Sequence, residues 1–338
     1  MSMKHKAAKR RGTLNARAIA GLVLLAFCAI FCTLPFILMI GNGNQTNSII
    51  QSHDGKAEAL AKQQRKDELS RAHDYNKRLF ASGQTTMGEA VDPFSGNGSQ
   101  SIADSDKDYQ SQLDLPADGI MATVTYPRLG INLPIRHGTS QTTLADGAGH
   151  MYGTSLPVGG KNTHAVISAH TGLADRMMFD KLSLRQGKIG DFFYIKVVGK
   201  TLAYKVTSIK VVDPDHFDDL KIAPGKDEVT LLTCTPYGVN TQRLLVTGTR
   251  TTMPHPAPKP SDAPQDPTPR YMALYVAVVW VGVCLFVWLY LRRKRRSEGA
   301  PSVASTAFFD AASSSSVMTP AEASPDVSNE TSTPPPAR

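Results

Sequence analysis

The sequence predicts a mainly β fold, a closed barrel of short strands held between two membrane-spanning helices. Three observations predict it. From Gly119 to Thr249, apolar and β-branched runs of strand length alternate with Gly, Pro, Asn and Asp turn residues, the pattern of a barrel. Two apolar runs, Ala18 to Ile40 and Tyr271 to Leu291, reach the roughly 20 residues that cross a bilayer. Between the first of these and the strands lies a proline-free stretch of helix formers, about His53 to Ala81.

The charge pattern orients the chain. The 338 residues carry a net charge of +8, which on its own would suit a nucleic-acid partner. The basic residues cluster elsewhere for another reason. Lys4, Lys6, Lys9, Arg10, Arg11 and Arg17 precede the first apolar run, and Arg292, Arg293, Lys294, Arg295 and Arg296 follow the second. Positive flanks mark the cytoplasmic side, so both termini are expected in the cytoplasm and the region from Gly41 to Arg270 outside the cell membrane. No nucleic-acid partner is expected. The first run reads as an uncleaved anchor: it is longer than a signal-peptide core, and no A-x-A site follows it. The second is unlike the tail of a wall-sorting signal, because no Leu-Pro-x-Thr-Gly precedes it; SLPVGG at Ser155 lies in the middle of the strand region. The expected divisions are a basic N-terminus (1–17), a span (18–40), a helical segment and loop (41–112), the barrel (113–250), a Pro-rich linker (251–270), a second span (271–291) and a tail (292–338).

Within the external region, Gly41 to Ser48 reads as a polar exit from the membrane. Ala57, Leu60, Ala61, Ala72, Tyr75, Leu79 and Phe80 form an irregular apolar helical stripe. Gly83 to Ser105 is rich in Gly, Ser and Asn and reads as a loop. The expected strands are Gly119–Tyr126, Ile131–Ile135, Thr163–Ala169, Asp191–Val198, Thr201–Val212, Glu228–Thr233 and Arg243–Thr249. The fourth and fifth face each other across Gly199-Lys200, read as a two-residue hairpin turn with glycine first. Arg176 to Leu184 suggests a short helix. Pro254 to Pro269 is an extended spacer by composition, and Ser297 to Arg338 has too few apolar residues to pack. There are no internal repeats, no Gly-rich phosphate loop and no Cys/His spacing for zinc.

The cysteines point to chemistry. Cys28, Cys32 and Cys284 lie within the spans, and Cys234 is the single external cysteine. It has no in-chain disulfide partner in a compartment where structural cysteines normally pair. A lone cysteine of this kind is otherwise a small buried hydrophobe. Its context is TLLTCTPYGVNTQRLLVTG, Thr230 to Gly248: a strand, a turn at Pro236, Tyr237 and Gly238, and a second strand beginning at Arg243. A thiol at a strand end beside a guanidinium has its thiolate stabilised.

This stretch resembles the active-site signature of sortases, the cysteine transpeptidases of Gram-positive cell surfaces, and its longer form resembles the pilin-polymerising class C members. The resemblance runs from about Lys56 to Gly248. It implies an eight-stranded β-barrel with N-terminal helices and a lid loop. Of the eight external histidines, His170 ends the apolar strand AVISA and stands at a barrel rim. The segment GTSLPVGGKNTHAVISAHTGL, Gly153 to Leu173, is similar to the sortases, and its SAHTG histidine corresponds to their catalytic one; His150 and His164 are the reserve candidates. Asp92-Pro93-Phe94 is a turn when read alone. By resemblance it is a lid, with Asp92 pairing a site cation, Arg243 being the candidate, and Phe94 covering the thiol. The resemblance also implies the chemistry. Cys234 attacks a Leu-Pro-x-Thr-Gly-type signal, Arg243 donates to substrate or oxyanion, and His170 serves as acid and then base. A lysine amine of the next pilin subunit resolves the thioester, with no metal or organic cofactor. Two other readings remain: a housekeeping-type sortase attaching proteins to peptidoglycan, and a catalytically dead, membrane-tethered pilus scaffold.

Overall fold

The computed structural model describes residues 16–84, 102–115, 117–216, 218–251 and 265–297. The chain divides into two units, Thr13–Trp288 and Met1–Gly12 with Leu289–Arg338. Of the second unit only residues 289–297 are described, as the last turns of a helix.

The first unit holds a closed barrel of eight strands: β1 (Ala122–Tyr126), β2 (Ile131–His137), β3 (Ala148–His150), β4 (Thr163–Ser168), β5 (Phe192–Val197), β6 (Lys200–Val212), β7 (Asp227–Thr235) and β8 (Gln242–Arg250). Around the barrel they run β1-β2-β3-β4-β7-β8-β6-β5, and closure leaves no edge strand exposed. All seven expected strands are present, shifted at their ends by a few residues. The eighth, β3, is only Ala-Gly-His and has no alternation to betray it. It is a strand because it fills the gap between β2, to which it runs parallel, and β4, to which it runs antiparallel.

Two local expectations change. The β5–β6 hairpin turns at Val198-Gly199, not Gly199-Lys200, since Val197 pairs with Lys200. Both turn residues have positive φ, 45° and 74°, so this is a two-residue turn of the I′ type with glycine second. The helix expected over Arg176–Leu184 is confined to Asp180–Ser183 (α6 below) because the Asp180 carboxylate accepts from Gly172 N (2.8 Å) and Met178 N (2.7 Å) and holds the preceding residues as a loop.

Before the barrel come α1 (Ala16–Ala59), α2 (Lys62–Ala81) and the short α3 (Ile102–Ser105) and α4 (Lys107–Gln110). After β2 and β4 come the short α5 (Gln141–Asp146) and α6 (Asp180–Ser183), and α7 (Thr268–Ser297) closes the described chain. Among the described residues, two helices, α1 and α7, are long and apolar enough to cross a membrane. Helix α1 passes through the Gly/Asn-rich exit at 41–48 without a break. Asparagine side chains often compete for their own backbone, but here Asn42 and Asn47 bond to Asp175 and Asn132 of the barrel region. The chain breaks instead at Leu60 and Ala61, where Ala61 N donates to Gln64 Oε1 (3.1 Å). Of the expected apolar stripe, Ala57 and Ala72 are buried while Ala61 is exposed.

The core is aliphatic, with a stack of rings through it: Tyr126 on Phe193 at 6.1 Å and Phe193 on Tyr204 at 5.6 Å between centroids. This stack explains the last glycine of the motif. A Cβ at Gly248 would lie 2.4 Å from the Phe193 ring, so the position serves packing. At the end of the barrel where β4 and β7 begin, the Asp227 carboxylate accepts from Gly160 N (2.7 Å) and Tyr204 OH (3.1 Å). Helix α2 packs over the same end. Its Glu68 is buried and accepts from Leu113 N (2.5 Å) and Arg71, and Asn76 bonds both N and O of Leu156.

Candidate active site

The site lies at the other end, where β4 and β7 finish. Strands β4 and β7 are parallel, with Ser168 opposite Leu232. Two residues further along each chain stand His170 and Cys234. Strands β7 and β8 are antiparallel, with Cys234 directly opposite Arg243. Barrel topology therefore sets an imidazole, a thiol and a guanidinium abreast on three neighbouring chain segments, although His170 and Cys234 are far apart in the sequence.

The main chain holds each member in place. Ala169 N donates to Leu232 O (3.2 Å) and Thr233 Oγ1 to Ala169 O (2.9 Å), joining the His170 segment to β7. Phe179 N donates to His170 O (3.1 Å), and Ser183 Oγ of α6 donates to Cys234 O (2.8 Å). Cys234 is a thiol, 6% exposed. Arg243 is half-buried and its Nη1 donates to Asn240 O (3.1 Å) and Gln242 O (3.2 Å), which fixes the plane of the group. A guanidinium has five N–H donors, and among the described residues no hydrogen bond engages those on Nη2 and Nε.

Burial lowers the pKa of His170, which keeps its imidazole neutral at neutral pH. The two reserve histidines are built into the core. His150 is fully buried, with Nε2 on Ser155 O (2.8 Å) and Nδ1 on Tyr109 OH (2.9 Å), and burial pushes its pKa down to about 4. His164 has Nδ1 on Lys221 O (3.0 Å) and Nε2 on Thr230 Oγ1 (2.7 Å). In each ring both nitrogens are engaged by the fold. Asp92 and Phe94, the expected lid, lie outside the described residues. Among the described residues, no cluster of three His, Cys, Asp or Glu side chains could hold a metal ion.

Sequence reasoning missed Asp180. Besides its two backbone bonds it accepts from Tyr237 OH (3.1 Å), tying the loop after His170 to the turn after Cys234. Tyr237 was visible in the motif, but Asp180 is far from it in sequence and carries no local signal.

A thiol set by register beside a neutral imidazole and a cationic donor, at one end of a barrel, is a constellation for acyl transfer through cysteine. A family model described as Sortase domain matches residues 124–251. Among solved structures, sortase C-1 from Actinomyces oris is 43% identical, with a TM-score of 0.51, and the match covers 56% of this chain and 99% of that one. Sortase C1 from Streptococcus agalactiae is 35% identical, with a TM-score of 0.53, over 61% of this chain and 99% of that one. Sortase A from Streptococcus agalactiae serotype III is 35% identical over 130 residues, 38% of this chain and 51% of that protein, so the chain spans about half the length of this curated relative. The chain belongs to the sortase family, whose members are cysteine transpeptidases.

Proposed function

We propose that this chain is a membrane-anchored, class C-type sortase that joins pilin subunits into a covalent polymer. The observation that carries this is the register that sets Cys234 between His170 and Arg243, on a fold that matches pilus-related sortase C structures over almost their whole length. The Cys234 sulfur attacks the carbonyl of a Leu-Pro-x-Thr-Gly-type signal as its proton passes to His170. Arg243 donates to the developing oxyanion. The C–N bond breaks, His170 gives its proton to the leaving amine, and a thioester remains. A lysine amine of the next subunit attacks the thioester, His170 takes the amine proton, and the thiolate leaves and recovers a proton. No step requires a metal or an organic cofactor. Asp92 and Phe94 retain the proposed lid role on the strength of their sequence context.

The test is to incubate the detergent-solubilised full chain with pilins that carry a sorting signal and an acceptor lysine. Ladders on a denaturing gel are expected, and a pilin lacking the lysine should give none. The likeness to sortase A favours a second reading, transfer to peptidoglycan. That reading predicts a single product with a peptidoglycan-type amine and no ladder. Absence of any thioester would leave only the inactive scaffold.

A further inference from the structure

We propose that the active-site end of the barrel is seated on the outer surface of the bilayer, with its rim in the lipid headgroup layer and the opposite end pointing away from the membrane. The proposal rests on reading α1 and α7 as membrane spans.

Both spans meet the barrel at the same end. Just past the apolar part of α1, Asn42 Nδ2 donates to the Asp175 carbonyl (2.8 Å) and carboxylate (3.1 Å), and Asp175 lies in the loop between His170 and α6. Just before the apolar part of α7, Asp266 pairs with Lys181 of α6, and Lys181 Nζ donates to Thr268 Oγ1 (2.6 Å). Lys181 and Asp266 are almost fully shielded from solvent, at 9% and 10% side-chain exposure. On the same helix, Ser183 holds the Cys234 carbonyl. The outer parts of the two spans touch each other through Phe36 and Tyr275, 5.1 Å between ring centroids.

Helix α1 also fixes the direction of the barrel. Although Pro35 lies inside its apolar part, α1 continues as one helix from the span onto the barrel wall. Asn47 meets Asn132, next to the β1–β2 connection, and further out Asp54 and Glu58 meet Lys196, beside the Val198-Gly199 turn at the far end. From Asn42 to Glu58 the helix rises about 24 Å, so the far end stands more than a headgroup layer above the near one.

The surface chemistry of the two ends differs in the same sense. Four large apolar side chains stand exposed at the site end: Leu184, Ile189 (69%), Tyr237 and Val239 (64%). Arg185 and Lys188 are exposed among them. Exposed apolar side chains interleaved with cations suit the boundary between acyl chains and anionic headgroups. The far end is basic as well, with a groove of about 1320 Å³ between α2 and the 159–163 and 198–200 turns, lined by Lys62, Arg65, Lys66, Lys161 and Lys200. Among the described residues, no exposed large apolar side chain lines that groove, and neither span reaches it. Charge alone would turn either end to an anionic membrane; the spans and the apolar rim select the end that carries Cys234. A donor held in the same membrane just beyond its scissile bond then meets the thiol without leaving the bilayer.

The test uses the full chain with Cys28, Cys32, Cys234 and Cys284 changed to Ser, in vesicles of phosphatidylcholine and phosphatidylglycerol. Single labelling sites are introduced by Ile189→Cys or Val239→Cys at the rim and by Lys161→Cys at the far end, and each carries an environment-sensitive fluorophore. A lipid with a quencher near the headgroup should quench the rim labels several-fold more than the label at 161. Equal quenching, or stronger quenching at 161, in a chain that floats with the vesicles overturns the seating alone. A chain that does not float with them overturns the span reading and the seating together. Neither outcome depends on the activity of Cys234.

Discussion

The two ends of the barrel are built from the same strands, and they differ in what is left to the residues at the strand termini. Where β4 and β7 begin, side chains satisfy the protein itself: Asp227 takes the Gly160 N–H and the Tyr204 hydroxyl, and Thr163 Oγ1 donates to Gly160 O (2.6 Å). Burial raises the Asp227 pKa even though those donors favour the carboxylate. Where the same strands finish, Cys234 and His170 are gripped through their own main-chain carbonyls. Ser183 holds the Cys234 carbonyl and Phe179 N the His170 carbonyl. A group held by its backbone can be placed firmly while its side chain is presented for chemistry. Substitutions at the two ends should therefore separate activity from stability.

The sharpest break is Cys234→Ala. Transfer should fall to background while the thermal unfolding midpoint moves little, since one sulfur is lost at a rim where the strand carbonyl remains bonded. Polymer formation by the folded variant would remove Cys234 from the mechanism.

The core histidines give the next largest effect. The folded-state pKa of His150 lies near 4, against an ordinary value of 6.5. Above pH 6.5 the ring is neutral in both states and its full contribution to stability is present. As pH falls from 6.5 towards 4, the unfolded chain takes up a proton that the folded chain refuses, so stability drops. Below about 4 the loss levels off. The total from this residue is on the order of 3 kcal/mol. His137 and His164, also lowered by burial, add in the same direction. Unfolding followed across this range should show that decline, and a flat profile would mean that the ring is not buried as neutral imidazole.

Gly248→Ala probes the ring stack. The new methyl meets Phe193, and overpacking of this kind costs about 1–3 kcal/mol. Activity per folded molecule should persist at temperatures well below the new midpoint. Loss of activity without loss of stability would make the end of the motif part of the chemistry.

How much of this was legible in the sequence depends on the range of the interaction. Seven strands announce themselves through local pattern, and the motifs around Cys234, Arg243 and His170 single those residues out as candidates. The three-residue β3 does not announce itself, because its two neighbours, and not its own residues, make it a strand. The sequence puts the β5–β6 turn one residue late, because glycine reads as the first turn position; pairing across β5 and β6 puts a valine there at positive φ. The run of α1 through 41–48 was hidden for the same reason, since its asparagines find partners more than 80 residues away. Local chemistry was readable, whereas contacts between distant segments had to be seen.

Asp180 is the clearest case of such a contact, and it allows the finest test of the main-chain anchoring. Its carboxylate joins Gly172 N, Met178 N and Tyr237 OH, so it couples the segment after His170 to the turn after Cys234. Asp180→Ala strands two backbone donors and frees both segments. Turnover should fall about tenfold, equivalent to roughly 1.4 kcal/mol in the barrier, because a misplaced imidazole no longer meets the thiol in line. Asp180→Asn keeps one carbonyl acceptor and should fall between the two. Tyr237→Phe leaves both backbone bonds intact and removes a single hydroxyl contact from a side chain that is 43% exposed. It should cost less than about 1 kcal/mol in stability and change turnover about twofold at most. If Tyr237→Phe proves as damaging as Asp180→Ala, the ring is acting on the substrate directly, and the coupling through the carboxylate is the smaller part of its role.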